Sequence, residues 1–189
     1  DLSVRLGGAG VGGNIDFLAR VRRAEPDAWI LYRPHPDVQA GHRKGHLSDA
    51  AVMDYADSID VGAPLMELVQ AVDEVHVLSS LTGFEALMRD RPVTVHGMPF
   101  YAGWGLTRDL ATATGRRGRR LTVDQLVAGA LILYPRYLDP VTRLPCGPEM
   151  MVERLASGSI PPVTWLIRLR VVQGKLRRFM TLFAEFLHG

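Results

Sequence analysis

One stretch indicates the fold most clearly: residues 75–85, VHVLSSLTGFE. It opens with an apolar run typical of a buried parallel strand, passes through two serines and leads into a predicted helix. A helix start offers unpaired N–H groups and the positive end of the helix dipole, and the hydroxyls of Ser79, Ser80 and Thr82 add donors. The stretch therefore predicts an anion site, suited to a phosphate, at the carboxyl end of a strand. The same hydroxyls are also ordinary helix caps, and the two roles are compatible.

A second stretch has a similar layout: residues 28–37, AWILYRPHPD. Its apolar first half predicts another buried strand. His35 follows between two prolines, which keep it out of a helix interior and direct it toward the carboxyl end of that strand. We expect His35 to join the anion site from the neighbouring strand. Arg33 is either a surface cation or a part of the same site.

The rest of the chain repeats a strand–helix–strand rhythm, which predicts an α/β fold with a Rossmann-like parallel sheet and flanking helices. Asn14 is expected to cap the first helix. Further helices are predicted from Pro64 and over 82–89, 122–133 and 147–156, and further strands over 58–61, 74–78 and 92–95.

Composition narrows the function classes. The 189 residues are 47% hydrophobic and 22% charged, as in folded globular domains. A single cysteine, Cys146, excludes an internal disulfide framework. The net charge is +2, but residues 160–189 contribute +4, so the rest of the chain is near −2 and gives no electrostatic footprint for nucleic acid. No apolar run is long enough to span a membrane. Because residues 1–8, DLSVRLGG, read like the inside of a folded unit, we expect a piece of a longer protein.

Two basic segments stand apart from this pattern. Residues 116–120, RRGRR, are either an exposed loop or a contact for an anionic substrate or lipid headgroup. Residues 160–189 carry five Lys/Arg against one acid, and their apolar residues recur at steps of three and four. Such an amphipathic helix seals a core, forms a coiled seam or lies in a membrane interface, and our working hypothesis is peripheral membrane attachment.

Four motifs in order carry a resemblance to a known family: RPHPD at 33–37, SLTGFEAL at 80–87, PVT at 92–94 and PFYAGWGLT at 99–107. Over about residues 1–155 the chain resembles the capsule polysaccharide biosynthesis family, and within it the KpsC-type β-Kdo transferases. The resemblance implies one half of a GT-B architecture. A CMP-sugar-binding domain would span 1–159, the amphipathic helix would span 160–189, and an N-terminal GT-B domain would be missing.

The resemblance also implies roles for individual residues. His35, Ser79 and Ser80 would hold the single phosphate of CMP, and Glu85 would lie near the nucleotide. For Glu85 the alternative is a capping box with Thr82. Residues 100–105, with Tyr101, Gly103 and Trp104, would shape the Kdo end of the pocket, or else form a structural turn with a packed tryptophan. No metal and no cofactor besides the donor is expected.

The implied activity is retaining transfer of Kdo from CMP-Kdo to a lipid-linked acceptor, at the cytoplasmic face of the inner membrane. No nucleophile can be assigned, and Asp37 and Asp109 are the nearest candidates by position. The chain alone is expected to be inactive, because half of the active site would lie elsewhere. Two other functions stay open: a UDP-sugar 2-epimerase-like GT-B domain, and a non-catalytic, membrane-tethered assembly module for capsule export.

Overall fold

A computed structural model of the chain describes residues 7–35, 38, 45–60, 62–111, 115 and 117–159. These residues belong to two compact units, one comprising the described residues up to Arg120 and the other residues 121–159. The predicted helix at 160–189 and the domain boundary before it lie outside the described residues.

The first unit alternates helices and short strands. In chain order these are α1 (Asn14–Ala24), β1 (Leu31–Tyr32), α2 (Asp49–Met53), β2 (Ser58–Ile59), α3 (Leu65–Ala71), β3 (Val75–Val77), α4 (Leu81–Leu87), β4 (Val93–Val95) and β5 (Arg108–Asp109). The predicted α/β alternation is confirmed. The strand β5 was not predicted, because two charged residues carry no strand pattern of their own.

All strand pairs of this unit are parallel, as predicted. β1 pairs with β2, and β4 lies between β3 and β5. Within the described residues the strands form two separate ladders and not one continuous sheet. All three residues of β4 are buried, as expected for a strand covered on both faces. Because β3 and β4 are parallel neighbours, the turns that follow them leave the same edge of their ladder.

The core is built from both helix and strand faces. Leu18 and Val21 of α1 pack with Ile30, Val52 and Ala56. On the ladder of β3, β4 and β5, the helix α4 buries Phe84, Ala86 and Leu87, and the strands bury Val77, Val93 and Val95. Because α4 is anchored by these side chains, the turn before it is held in place.

The start of α1 differs from the prediction. Asn14 is the first helical residue and not the cap, and its side-chain nitrogen donates a hydrogen bond to the carbonyl of Gly45 at 2.8 Å. The carboxylate of Asp16 accepts from the N–H of Gly12 instead. The side chain of Asn14 therefore makes a long-range contact, which a local capping rule does not predict.

The second unit confirms two predicted helices. α5 (Val123–Val127) begins with a capping box between Thr122 and Gln125 and continues as a π-helical turn, Ala128–Leu133. α6 (Pro148–Ala156) starts with its proline, as expected for a residue without an N–H group. A short antiparallel pair, β6 (Tyr137–Leu138) and β7 (Pro145–Cys146), was not predicted.

One ion pair ties this unit together. Arg154 donates to both carboxylate oxygens of the buried Asp139, at 3.1 and 2.9 Å. These bonds, with one from the N–H of Val141, hold the pKa of Asp139 well below its usual range.

Among the described helices of the chain, none is both long and apolar enough to cross a bilayer.

Candidate functional site

The segment Ser79 to Thr82, which follows β3 and includes the first two residues of α4, is named the serine turn. Ser80 caps α4, and its hydroxyl oxygen accepts a hydrogen bond from the N–H of Thr82 at 3.2 Å. The same hydroxyl donates to the side-chain oxygen of Thr82 at 3.0 Å. The structure thus brings two of the predicted site residues into direct contact at the carboxyl end of a parallel strand.

The position of this cap decides between the two interpretations of Glu85. A capping box joins the cap residue to the third helical residue. With Ser80 as the cap and Leu81 as the first helical residue, the third is Gly83 and Glu85 is the fifth. The capping-box interpretation is therefore wrong, and the contact of Glu85 with a nucleotide stays a prediction.

The segment 99–107, which follows β4, is called the aromatic loop. It opens with a turn closed by a hydrogen bond from the N–H of Ala102 to the carbonyl of Pro99 at 3.2 Å. Tyr101 is fully buried, and its hydroxyl donates to the backbone carbonyl of Ser80. Burial raises the pKa of Tyr101, which keeps the phenol protonated as a donor. Its side chain therefore supports the serine turn from inside the fold.

Gly83 makes room for this contact. A Cβ atom at this position would lie 2.5 Å from the hydroxyl oxygen of Tyr101 and 2.9 Å from a methyl group of Val77. Both distances are below what a real side chain tolerates, so only glycine fits here. The glycine of the motif SLTGFEAL thus has a packing reason.

The serine turn also meets the glycine-rich segment GGAGVGG at 7–13. The N–H of Met98 donates to the carbonyl of Gly7 at 2.9 Å, and a Cβ on Gly97 would collide with that carbonyl and with the carbonyl of Leu78, 2.5 Å away. Three chain segments therefore cross within backbone contact beside Ser79. We did not predict this crossing from the sequence, although the glycines at 7–13 are a possible signal of close backbone approach.

Asp109 of β5 holds the end of the aromatic loop through both of its carboxylate oxygens. The N–H of Gly103, whose φ is +77°, donates to one carboxylate oxygen at 2.9 Å, and the hydroxyl of Thr107 donates to the other at 2.6 Å. The indole N–H of Trp104 donates to the carbonyl of Phe100 at 2.8 Å. Both oxygens of Asp109 thus accept bonds from the loop, and the nucleophile stays unassigned.

The other two predicted site residues follow β1. Arg33 donates from one terminal nitrogen to Asp60 at 2.5 Å and to the carbonyl of Ala63 at 2.6 Å. It therefore links the carboxyl ends of β1 and β2. His35 is exposed two residues further on, and its approach to the serine turn stays a prediction. Asp37 lies outside the described residues.

Within the described residues, Glu25, Glu74 and His76 bring metal-ligating atoms within 4.8 Å of one another. Each already has a partner: Arg108 lies 2.5 Å from Glu25, the hydroxyl of Thr94 donates to Glu74, and His76 shares a hydrogen bond of 3.1 Å with His96. Glu74 precedes β3, at the end opposite the serine turn. We therefore assign these residues to a structural polar network.

Burial lowers the pKa of both histidines of that network. His96 is 4% exposed and packs against the ring of Phe17. Burial, together with the neighbouring His76, lowers the pKa of His96 to about 4, and burial also lowers that of His76. Both rings are therefore neutral at physiological pH.

Known proteins resemble this chain over most of its length. The family profile described as capsule polysaccharide biosynthesis protein matches residues 1–137. The capsule polysaccharide modification protein LipA of Neisseria meningitidis serogroup A is 49% identical over 142 residues, and the lipopolysaccharide-processing protein LpsZ of Rhizobium meliloti is 44% identical over 137. These matches cover 75% and 72% of this chain, but only 20% of LipA and 31% of LpsZ.

Two solved structures share the fold. They are the β-Kdo 2,7 transferase and the β-Kdo 2,4 transferase of Thermosulfurimonas dismutans KpsC, with TM-scores of 0.74 and 0.66 and identities of 37% and 35%. The matches cover 84% and 82% of this chain, and about half of each solved chain, 50% and 48%.

Proposed function

The chain belongs to the capsule polysaccharide biosynthesis family, and we propose that it binds CMP-Kdo for retaining transfer of Kdo to a lipid-linked acceptor. The observation that carries this proposal is the serine turn, which is capped by Ser80 and supported by Tyr101 where a parallel strand ends. The likeness to two Kdo transferase structures supports the choice of sugar.

The bonds within the serine turn indicate which groups would meet the phosphate of CMP. The N–H groups of Thr82 and Gly83 are already bonded to Ser80. Thr82 accepts from Ser80 through its hydroxyl oxygen, which leaves the proton of that hydroxyl to donate. The hydroxyls of Ser79 and Thr82 would therefore bind the phosphate from one side and His35 from the other. Donors placed in this way stabilise the charge on departing CMP.

The aromatic loop would form the sugar end of the site. Tyr101 connects this loop to the serine turn, and Gly103 and Trp104 follow Tyr101 by two and three residues. A glycine lets a ligand approach the backbone, and a partly exposed indole offers an apolar wall. Glu85, four residues into α4 from its first residue, would accept hydrogen bonds from the nucleotide ribose.

The remaining parts of the reaction are proposed to lie outside this chain. The chain covers about half of each solved Kdo transferase chain, which is consistent with a second Rossmann-type domain completing a GT-B cleft. That domain would contribute the catalytic carboxylate and the acceptor site. The 189-residue chain is therefore expected to bind CMP-Kdo without turning it over.

Two further proposals concern metal and membrane. We expect CMP binding to be unchanged by EDTA, because the sequence has no aspartate pair with magnesium-binding spacing. We expect residues 160–189 to attach the protein to the cytoplasmic face of the inner membrane through their basic charge. Sedimentation with anionic liposomes tests the attachment: a chain ending at Pro162 should stay in the supernatant while the full chain sediments.

The nucleotide specificity is tested by isothermal titration of the chain with CMP and with UDP. CMP should bind more tightly, and His35→Ala should weaken its binding by about 1.5–3 kcal/mol, the value of a lost charge-assisted hydrogen bond. The exposed His46 provides the matched control, His46→Ala, which should leave binding unchanged. Preference for UDP would favour the epimerase-like function, and no preference at all would favour the assembly module.

A further inference from the structure

One residue of the basic run 116–120 lies against the aromatic loop. Arg117 is partly buried, and one terminal nitrogen of its guanidinium donates to the carbonyls of Pro99 and Ala102, both at 2.6 Å. The prediction of an exposed loop is therefore wrong for this residue. It holds for Gly118, Arg119 and Arg120, which are exposed.

The same side chain packs against the tip of the loop. Its Cζ atom lies 5.7 Å from the centre of the Trp104 ring, within the range of a cation–π contact. A Cβ atom on Gly103 would lie 3.1 Å from Cδ of Arg117, so the aliphatic stem covers this glycine closely. Arg117 thus touches the first residue of the loop, the end of its turn, and both of the site residues that follow.

The loop needs such a restraint. Gly103 and Gly105 both have positive φ, at +77° and +76°, and glycines of this kind leave an unrestrained loop with many accessible conformations. A loop that must be ordered during binding lowers affinity, whereas one that is already ordered does not. The guanidinium donates to two carbonyls through one terminal nitrogen while its planar, delocalised charge lies near the indole ring. A lysine ammonium is a compact, strongly hydrated point charge and would reproduce this combination of contacts less well.

We propose that Arg117 is a positioning residue that holds Gly103 and Trp104 in the shape that receives the sugar of the donor. The inference rests on the proposed function, because it assumes that the aromatic loop faces the sugar. It adds a residue that acts through the loop and not on the nucleotide. Arg117 should therefore affect the affinity for CMP-Kdo and leave the affinity for CMP unchanged.

The test compares the affinities of the full chain for CMP-Kdo and for CMP in three variants. Arg117→Ala removes the guanidinium, Arg117→Lys keeps the charge, and Arg119→Ala removes an exposed charge of the same basic run as a matched control. The wild-type chain should bind CMP-Kdo more tightly than CMP. Arg117→Ala should lower this preference roughly five- to tenfold, Arg117→Lys should lower it less, and Arg119→Ala should leave it unchanged.

The outcomes separate the inference from the proposed function. A wild-type chain that binds neither ligand contradicts the proposed function itself. A wild-type chain that binds both equally, or an Arg117→Ala chain that keeps the full preference, overturns the inference alone. A purely structural role would lower the melting temperature without moving the ratio of affinities, and this too overturns it. Should Arg117→Ala not fold, the ratio in Arg117→Lys decides.

Discussion

The phenolic hydroxyl of Tyr101 donates a hydrogen bond to the backbone carbonyl of Ser80, so the loop after one strand supports the turn after its neighbour. The tyrosine that carries this hydroxyl is fully buried. The serine turn therefore depends on a residue 21 positions away in sequence. This single contact connects the phosphate end of the proposed site with its sugar end.

Tyr101→Phe tests this connection. The variant keeps the ring but removes the donor, so we expect the free energy of unfolding to fall by about 1 kcal/mol, the usual value of one hydrogen bond. The affinity for CMP should fall as well, because the serine turn loses its support. Tyr134→Phe is the control, since Tyr134 is 86% exposed. CMP affinity equal to that of the wild type in Tyr101→Phe would contradict the supporting role.

Gly83→Ala should disrupt the same contact by crowding. The added methyl group would lie 2.5 Å from the Tyr101 hydroxyl, and overpacking of this kind destabilises by about 1–3 kcal/mol. Gly129→Ala is the matched control, because Gly129 is also helical and a Cβ there meets nothing within 4 Å. Urea unfolding of both variants provides the measurement. Equal stability of the two would mean that Gly83 is not tightly packed.

His96 should make the stability depend on pH. Its pKa falls from 6.5 in an unfolded chain to about 4 in the fold, so folding favours the neutral ring. The resulting stability is fully present above pH 6.5 and is lost as the pH falls toward 4. Between pH 7.5 and pH 5 the expected loss is about 2 kcal/mol.

Urea unfolding at these two pH values measures the loss. The window lies above the range in which Asp57 titrates, since its pKa is lowered from 3.8 by bonds from the N–H of Ile30 and from Arg22. His96→Gln should reduce the dependence and leave only the part due to His76, whose pKa is also lowered by burial. Unchanged stability of the wild type across the window would contradict a buried, neutral His96.

Local patterns were sufficient to predict where the serine turn lies in the fold. Apolar runs followed by Ser79–Ser80 placed the serine turn at a strand end, and Pro148 marked the start of α6. Each of these signals is contained in a few consecutive residues. The parallel pairing of the strands also followed, because helices separate them in sequence.

The rest depends on contacts between distant residues. Arg117 reaches carbonyls 18 and 15 positions away, and a basic run gives no sign of such bonds. Asn14 was predicted to be a cap, but the carbonyl of Gly45, 31 residues further on, takes its side chain. The two-residue strand β5 exists through its pairing with β4. Contacts of this kind leave no periodicity in the sequence.

A crystal structure of the chain with CMP tests the central claim most directly. We expect the phosphate to lie within hydrogen-bonding distance of both the His35 imidazole and the hydroxyls of the serine turn, with the ribose toward Glu85. A phosphate bound elsewhere, or an imidazole directed away from a phosphate at Ser79 and Thr82, would contradict this claim.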